Sequence, residues 1–233
     1  MDLGRAFGFF FEDENWLNKV LIGGLLQIIP IVGQLALLGY LFEVARNVAQ
    51  GNPRPLPDWS DLGTKLVKGV YGFVISLVYS LPIIALVLVW VVLIAVVGVA
   101  SGGNSEAAGG VMALLILCLY ALLFVVALVI QVVVLAAFAR YVQTDSLSTA
   151  LQFGEVIGMV RSAPSTWVVL FLVYLLTSLV GSLGSIACGV GLLFTYVYGM
   201  AVFGHALGQV IAQMGGAGGL NQSGPEYAPP PTY

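Results

Sequence analysis

The chain has 233 residues, 60% of them hydrophobic and 8% charged, with a mean hydropathy of +1.03. Soluble domains carry about 25% charged residues, so a water-soluble fold cannot hide this much apolar surface, and lipid must solvate most of it. A net charge of −3 and a pI near 4.9 exclude a nucleic-acid binder built on a basic face.

Residues 2–11 (DLGRAFGFFF) are too short to cross a bilayer. Phe7, Phe9, Phe10 and Phe11 beside Arg5 fit an interfacial segment; a frayed end is the plainer reading. The layout is not that of a signal peptide, so the first apolar segment is expected to insert and stay. Glu12, Asp13 and Glu14, followed by Asn15, favour a helix start. Two apolar segments follow, 16–29 and 31–50, joined at Pro30 and Gly33. Pro30 lacks an amide hydrogen and clashes with the preceding turn, which predicts a helix break. As one straight helix, 16–50 would overshoot a hydrocarbon core of roughly 30 Å. The stretch is therefore either one kinked span or a hairpin.

Residues 51–69 are polar, with Pro53, Pro55 and Pro57 to stop a helix. Asp58 or Ser60 can cap a short amphipathic helix whose Leu62, Leu66 and Val67 face the membrane, and Trp59 suits the interface. Residues 70–100 form a long apolar segment that Pro82 should kink or break. Residues 101–110 read as a loop, and 111–139 as a nearly uncharged span. A second polar linker, 140–163, offers Leu147, Leu151, Val156 and Val160 for another amphipathic helix. Spans at 165–187 and 190–213 flank a break at Cys188–Gly189. The low-complexity tail 214–233 should be disordered.

The basic residues decide the threading. Arg46, Arg54, Lys65 and Lys68 flank the first polar linker, Arg140 and Arg161 flank the second, and the 101–110 loop has none. The positive-inside rule makes both linkers cytoplasmic. A hairpin at Pro30 puts the remaining Arg5 and Lys19 inside as well; a single span puts both outside. The expected fold is therefore all-α: a polytopic integral membrane bundle of six helices, or five if 16–50 is one span. It forms one domain in the cell membrane over 1–213, with two cytoplasmic amphipathic linker helices and both termini on the cytoplasmic side.

A weak internal repeat aligns 20–45 with 178–203, centred on Ile28-x-x-x-Val32-Gly33 and Ile186-x-x-x-Val190-Gly191. Duplicated hairpins would produce it; so would chance in a Leu/Val/Gly-rich chain. The ordered series Trp16-x-x-Lys19, Ile22-Gly23-Gly24, Ile29-Pro30-Ile31-Val32-Gly33, Gly39-Tyr40, Val44-x-Arg46-Asn47, Leu56-Pro57-Asp58-Trp59 and Tyr79-x-Leu81-Pro82 resembles the prokaryotic multi-span membrane-protein family filed as domain of unknown function 4013. The resemblance covers most of 5–212. It implies a prokaryotic membrane protein and brings no catalytic residue with it.

Polar residues in apolar runs are the candidate sites. His205, the one histidine, is a functional candidate if it sits within the membrane, or it simply bonds a neighbouring helix. Glu43 and Arg46 are three apart on one face and can pair with each other, as an anchor for the helix end or as a gate. Gln27, Gln34 and Gln131 can bond across helices or line a pathway. Gly204 and Gly208 at four-residue spacing, and Gly181, suit close helix packing. Pro30 and Gly33 make either a plain turn or a broken-helix site.

Neither cysteine, Cys118 or Cys188, suggests a disulfide framework or a metal site, and no cofactor is expected. Enzyme chemistry needs positioned titratable groups, and only Glu43 and His205 lie plausibly within the spans, so no enzyme is expected. Two functions stay open: a structural or accessory membrane protein, or a small-solute or lipid transporter or channel. The lipid bilayer is the expected partner, with a second membrane protein or another copy of the chain as further candidates.

Overall fold

The structure, a computed structural model, describes residues 2–100, 106–186 and 190–215, without the side chains of 100, 106–108, 111, 186 and 190. A short helix α1 (Leu3–Gly8) is capped by Asp2, whose Oδ1 accepts the Arg5 N–H at 3.0 Å, and it runs into a 3-10 turn at Phe9–Glu12. Helices α2 (Trp16–Leu26) and α3 (Val32–Ala49) follow, both shorter than the segments the hydropathy marks out. Between them the chain reverses. Ile31 sits at φ 68° and ψ −56°, the centre of a γ-turn closed by the Val32 N–H donating to the Pro30 carbonyl at 2.7 Å, a strained geometry that marks a forced turn. A Cβ on Gly33 would lie 2.3 Å from the Leu26 carbonyl oxygen, so only glycine closes this turn. Trp59 shows that the two helices fold back on each other. Its Nε1–H donates to the Lys19 carbonyl at 2.8 Å while its ring stacks on Tyr40 at 4.7 Å. On one straight rod, residues 19 and 40 would stand roughly 31 Å apart.

The next helix, α4 (Leu62–Ala100), is continuous for 39 residues. No separate amphipathic helix occupies 51–69: Leu62, Leu66 and Val67 form the first turns of α4. Pro82 does not break it. Proline lacks the N–H for one backbone bond, a loss membrane helices tolerate. Helix α5 (Glu106–Thr144) also has 39 residues and carries on past the expected end at 139. Residues 101–105 of the expected loop lie outside the described residues, and 106–110 are helical. The second linker holds two pieces, α6 (Leu147–Ala150) and α7 (Phe153–Ser162). The apolar residues that the sequence singles out here cover protein: Val156 is fully buried, and Leu147, Leu151 and Val160 pack on the core, while Phe153 and Ile157 stay exposed. Helix α8 (Pro164–Leu183) ends in a 3-10 turn, Gly184–Ile186, and α9 (Val190–Gly215) closes the described chain. The break at Cys188–Gly189 and the tail beyond 215 lie outside the described residues.

Helix α3 sits at the centre. Its Ala36, Leu37, Tyr40, Val44 and Ala45 are fully buried. On one side it runs antiparallel to the start of α4, with Leu35 facing Gly69 and Gly39 facing Lys65; a Cβ on either glycine would come within 1.9 Å of the opposing carbonyl oxygen. On the other side it runs parallel to α9, where Gly204 and Gly208 face the carbonyls of Leu41 and Ala45. Lipid gives apolar side chains little drive to associate, so close backbone approach and dense van der Waals contact must hold such helices together. Helix α8 returns antiparallel along α9: Thr195 Oγ1 donates to the Gly181 carbonyl at 2.7 Å, and Gly199 faces the Thr177 carbonyl. Both copies of the Val-Gly repeat open the second helix of a hairpin, α3 and α9 respectively.

Four helices, over Leu62–Val99, Met112–Thr144, Pro164–Leu183 and Gly191–Gly215, are long and apolar enough to cross a membrane. The protein is an all-α membrane bundle. Helix α2, with 11 residues, measures roughly 16 Å and is too short to cross alone. Helices α4 and α5 are each about 58 Å long, nearly twice the core thickness. Their buried residues fall between Lys65 and Tyr79 and between Val134 and Val142. The rest of the pair projects from the bundle as an exposed apolar arm, uncharged from Gly69 to Ala100 and from Ala107 to Ala139.

Candidate functional site

The polar chemistry gathers where α3 ends and α4 begins. Glu43 is the hub. Lys65 Nζ lies 2.8 Å from its Oε2 and Lys68 Nζ 3.0 Å from its Oε1. The Lys65 side chain is 3% exposed and that of Glu43 15%. Glu43 therefore does not pair with Arg46. Arg46 turns to the end of α5 and meets both oxygens of Asp145, at 3.0 and 3.1 Å, in a two-point grip. Asp145 caps α5 in the left-handed conformation at φ 54°, its N–H donating to the Tyr141 carbonyl. Side chains three apart on α3 diverge because each finds a better partner on a different neighbour. Arg140 pairs likewise with Glu155 on α7. Asp61 caps α4: the hydroxyl and backbone N–H of Thr64 hold its carboxyl below the usual carboxylate range, helped by Lys65 and Lys68.

A second cluster holds the hairpin. Lys19 is 8% exposed. Its Nζ donates to Asp13 Oδ2 at 2.7 Å and to the Leu56 carbonyl at 2.8 Å, and lies 3.2 Å from Asp58 Oδ1. Those three contacts match the three donors of an ammonium. Trp59 fills the gap between α2 and α3 and acts as a wedge there. Neither Lys19 nor Trp59 shows this role in sequence; the signal is their partners, brought close only by the fold.

His205 occupies a third place. It is 4% exposed, its ring lies 4.3 Å from that of Phe9 with the planes tilted by 34°, and its Nδ1 lies 3.1 Å from Gln209 Nε2 on the next turn. The ring borders a cavity of about 310 Å³ that Arg5, Glu12, Asn52 and Gln209 also line. Neither Glu43 nor Gln34 reaches this cavity. Gln34 lies at the opposite end of α3, where its Nε2 donates to Gln27 Oε1 at 2.8 Å and its Oε1 accepts from Tyr196 Oη at 3.4 Å. Gln131 is half-buried on α5 and makes no side-chain hydrogen bond among the described residues. Among the described residues no group of His, Cys, Asp and Glu is placed to hold a metal.

The glycines divide. Gly204 and Gly208 lie on the α3–α9 seam, where a Cβ would meet carbonyl oxygens at 2.8 and 2.5 Å. Gly181 lies at the α8–α9 contact with room for a methyl, its nearest neighbour at 3.7 Å. Pro30 and Gly33 form the turn between α2 and α3, closed by Gln27 Nε2 donating to the Gly33 carbonyl at 3.1 Å.

No curated protein and no solved structure matches the chain significantly. The family described as protein of unknown function (DUF4013) matches residues 22–190, which run from midway along α2 through the hairpin turn, the charged hub and the apolar arm, and the chain belongs to that family.

Proposed function

We propose that this protein is a structural or accessory component of the cell membrane, acting through packed surfaces rather than by transport or catalysis, with both termini on the cytoplasmic side. One observation carries the reading: Gln34, Glu43 and His205, the polar groups a pathway would use, do not share a cavity. Glu43 is held by two lysines, Gln34 is bonded at the far end of α3, and His205 borders a separate pocket. Between them α3 is sealed by backbone contacts at Gly39, Gly69, Gly204 and Gly208. The orientation rests on the basic residues, which flank the polar linkers and leave the arm uncharged.

Transport is the competing reading, favoured by the cavity at His205. Proteoliposomes loaded with a pH dye, and separately shrunk osmotically in glycerol, test it. Proton and glycerol flux should match protein-free vesicles. Flux above that baseline that disappears in His205→Ala, with the variant still folded, would overturn the structural reading.

A further inference from the structure

The cavity at the inner end of α9 holds unpaired chemistry. Its volume, about 310 Å³, is that of a small-ligand site. The orientation of the Gln209 amide is fixed. The Asp2 N–H can only donate, and it reaches Gln209 Oε1 at 2.7 Å, so Nε2 is the amino end. That amino group donates to the Asp2 carbonyl at 2.9 Å and faces His205 Nδ1 at 3.1 Å. An amide nitrogen does not accept, so Nδ1 must, and the neutral imidazole carries its hydrogen on Nε2. This Nε2–H has no partner among the described residues, on a side chain that is almost wholly buried. Arg5, Asp2 and Glu12 line the same cavity, and none of the three joins an ion pair among the described residues.

Beside the amides of Asn52 and Gln213, the lining thus offers one cation, one imidazole N–H and two carboxylates. A simple anion would face a net negative wall; a simple cation would leave Arg5 and the imidazole N–H unused. A group with an oxyanion at one end and a primary ammonium at the other satisfies both halves. We propose that the cavity binds a phosphoethanolamine-type group, its phosphate on Arg5 and the His205 Nε2–H, its ammonium on Glu12 and Asp2. The segment that supplies Arg5 and Glu12 also exposes Leu3 and Phe11, apolar side chains suited to lie among acyl chains.

Thermal unfolding in lipid nanodiscs, followed by tryptophan fluorescence, tests this. Phosphatidylethanolamine should raise the midpoint over phosphatidylcholine by roughly 2–4 °C, the shift given by a ligand a few times above its dissociation constant; phosphatidylglycerol should not. Arg5→Gln and Glu12→Gln should each remove the increment, and Arg161→Gln should keep it. In the unaltered protein, stepwise N-methylation of the headgroup should erode the effect as ammonium donors are lost, so the test survives a variant that fails to fold. If glycerophosphoethanolamine in detergent reproduces the increment, the bound group comes from a free solute. If only the bilayer does, it comes from lipid. Equal midpoints in all three lipids, an increment untouched by either variant, or one indifferent to methylation would overturn the proposal.

Discussion

Replacing Gly39 by alanine tests the central seam. The added Cβ would lie 1.9 Å from the Lys65 carbonyl oxygen, where carbon and oxygen normally approach to about 3.3 Å. The backbones of α3 and α4 must therefore separate by about 1.4 Å, because a carbonyl on a packed helix cannot rotate away. A gap of 0.5–1 Å already forfeits a quarter to a half of each contact. Leu38 and Phe42 pack against Gly72 on the same seam. With on the order of 50 atom contacts per side chain at about 0.1 kcal/mol each, the loss is about 3 kcal/mol. That outweighs the gain of about 1 kcal/mol from replacing a helical glycine by alanine. Gly158 on α7 is the control, since nothing lies within 4 Å of its would-be Cβ. The expected order of stability is Gly158→Ala at or above the unaltered protein, Gly181→Ala close to it, then Gly204→Ala, Gly208→Ala and lowest Gly39→Ala. Titration of sodium dodecyl sulfate into the protein in mild detergent, read by tryptophan fluorescence, gives the free energies. A Gly39→Ala variant as stable as Gly158→Ala would refute the backbone-contact reasoning.

Glu43→Gln should cost about 3–5 kcal/mol, because it leaves Lys65 without a carboxylate in a site that water barely reaches. The double variant Glu43→Met/Lys65→Met should recover much of that loss in the same titration, and strictly additive effects would count against the hub. At Asp61 the folded carboxyl titrates below its unfolded value, so its contribution is present above about pH 3.9 and fades as pH falls further through the folded value. The melting temperature of Asp61→Asn should accordingly lose less than that of the unaltered protein on moving from pH 5 to pH 3; parallel losses would show that the cap does not contribute.

The apolar segments were legible because hydropathy reports directly on what lipid will accept. The reversal at Pro30 and Gly33 was legible too, since proline geometry and the count of cations pointed the same way. Helix ends were not. Lys65, Lys68 and Arg140 look like loop residues by charge, yet their helices run through them because carboxylates on neighbouring elements satisfy them. The Glu43–Arg46 pairing failed for the same reason. Local spacing makes the contact available, but Lys65, Lys68 and Asp145 compete from far along the chain. Trp59 reads as an interfacial residue by type, and only the fold reveals the slot between α2 and α3 that receives it. The amphipathic faces of the linkers were visible in sequence, but not whether protein or lipid would cover them.

The arm of α4 and α5 has a consequence for the bilayer. From Val70 to Ala100 the apolar rod measures roughly 46 Å, and an upright rod of that length would thrust its last turns into water. To stay submerged in a layer of roughly 30 Å it must lean about 50° from the normal, steeper than membrane helices usually stand. Acyl chains beside such a slope must splay or stretch to cover it, so the protein reshapes the leaflets around it wherever it resides.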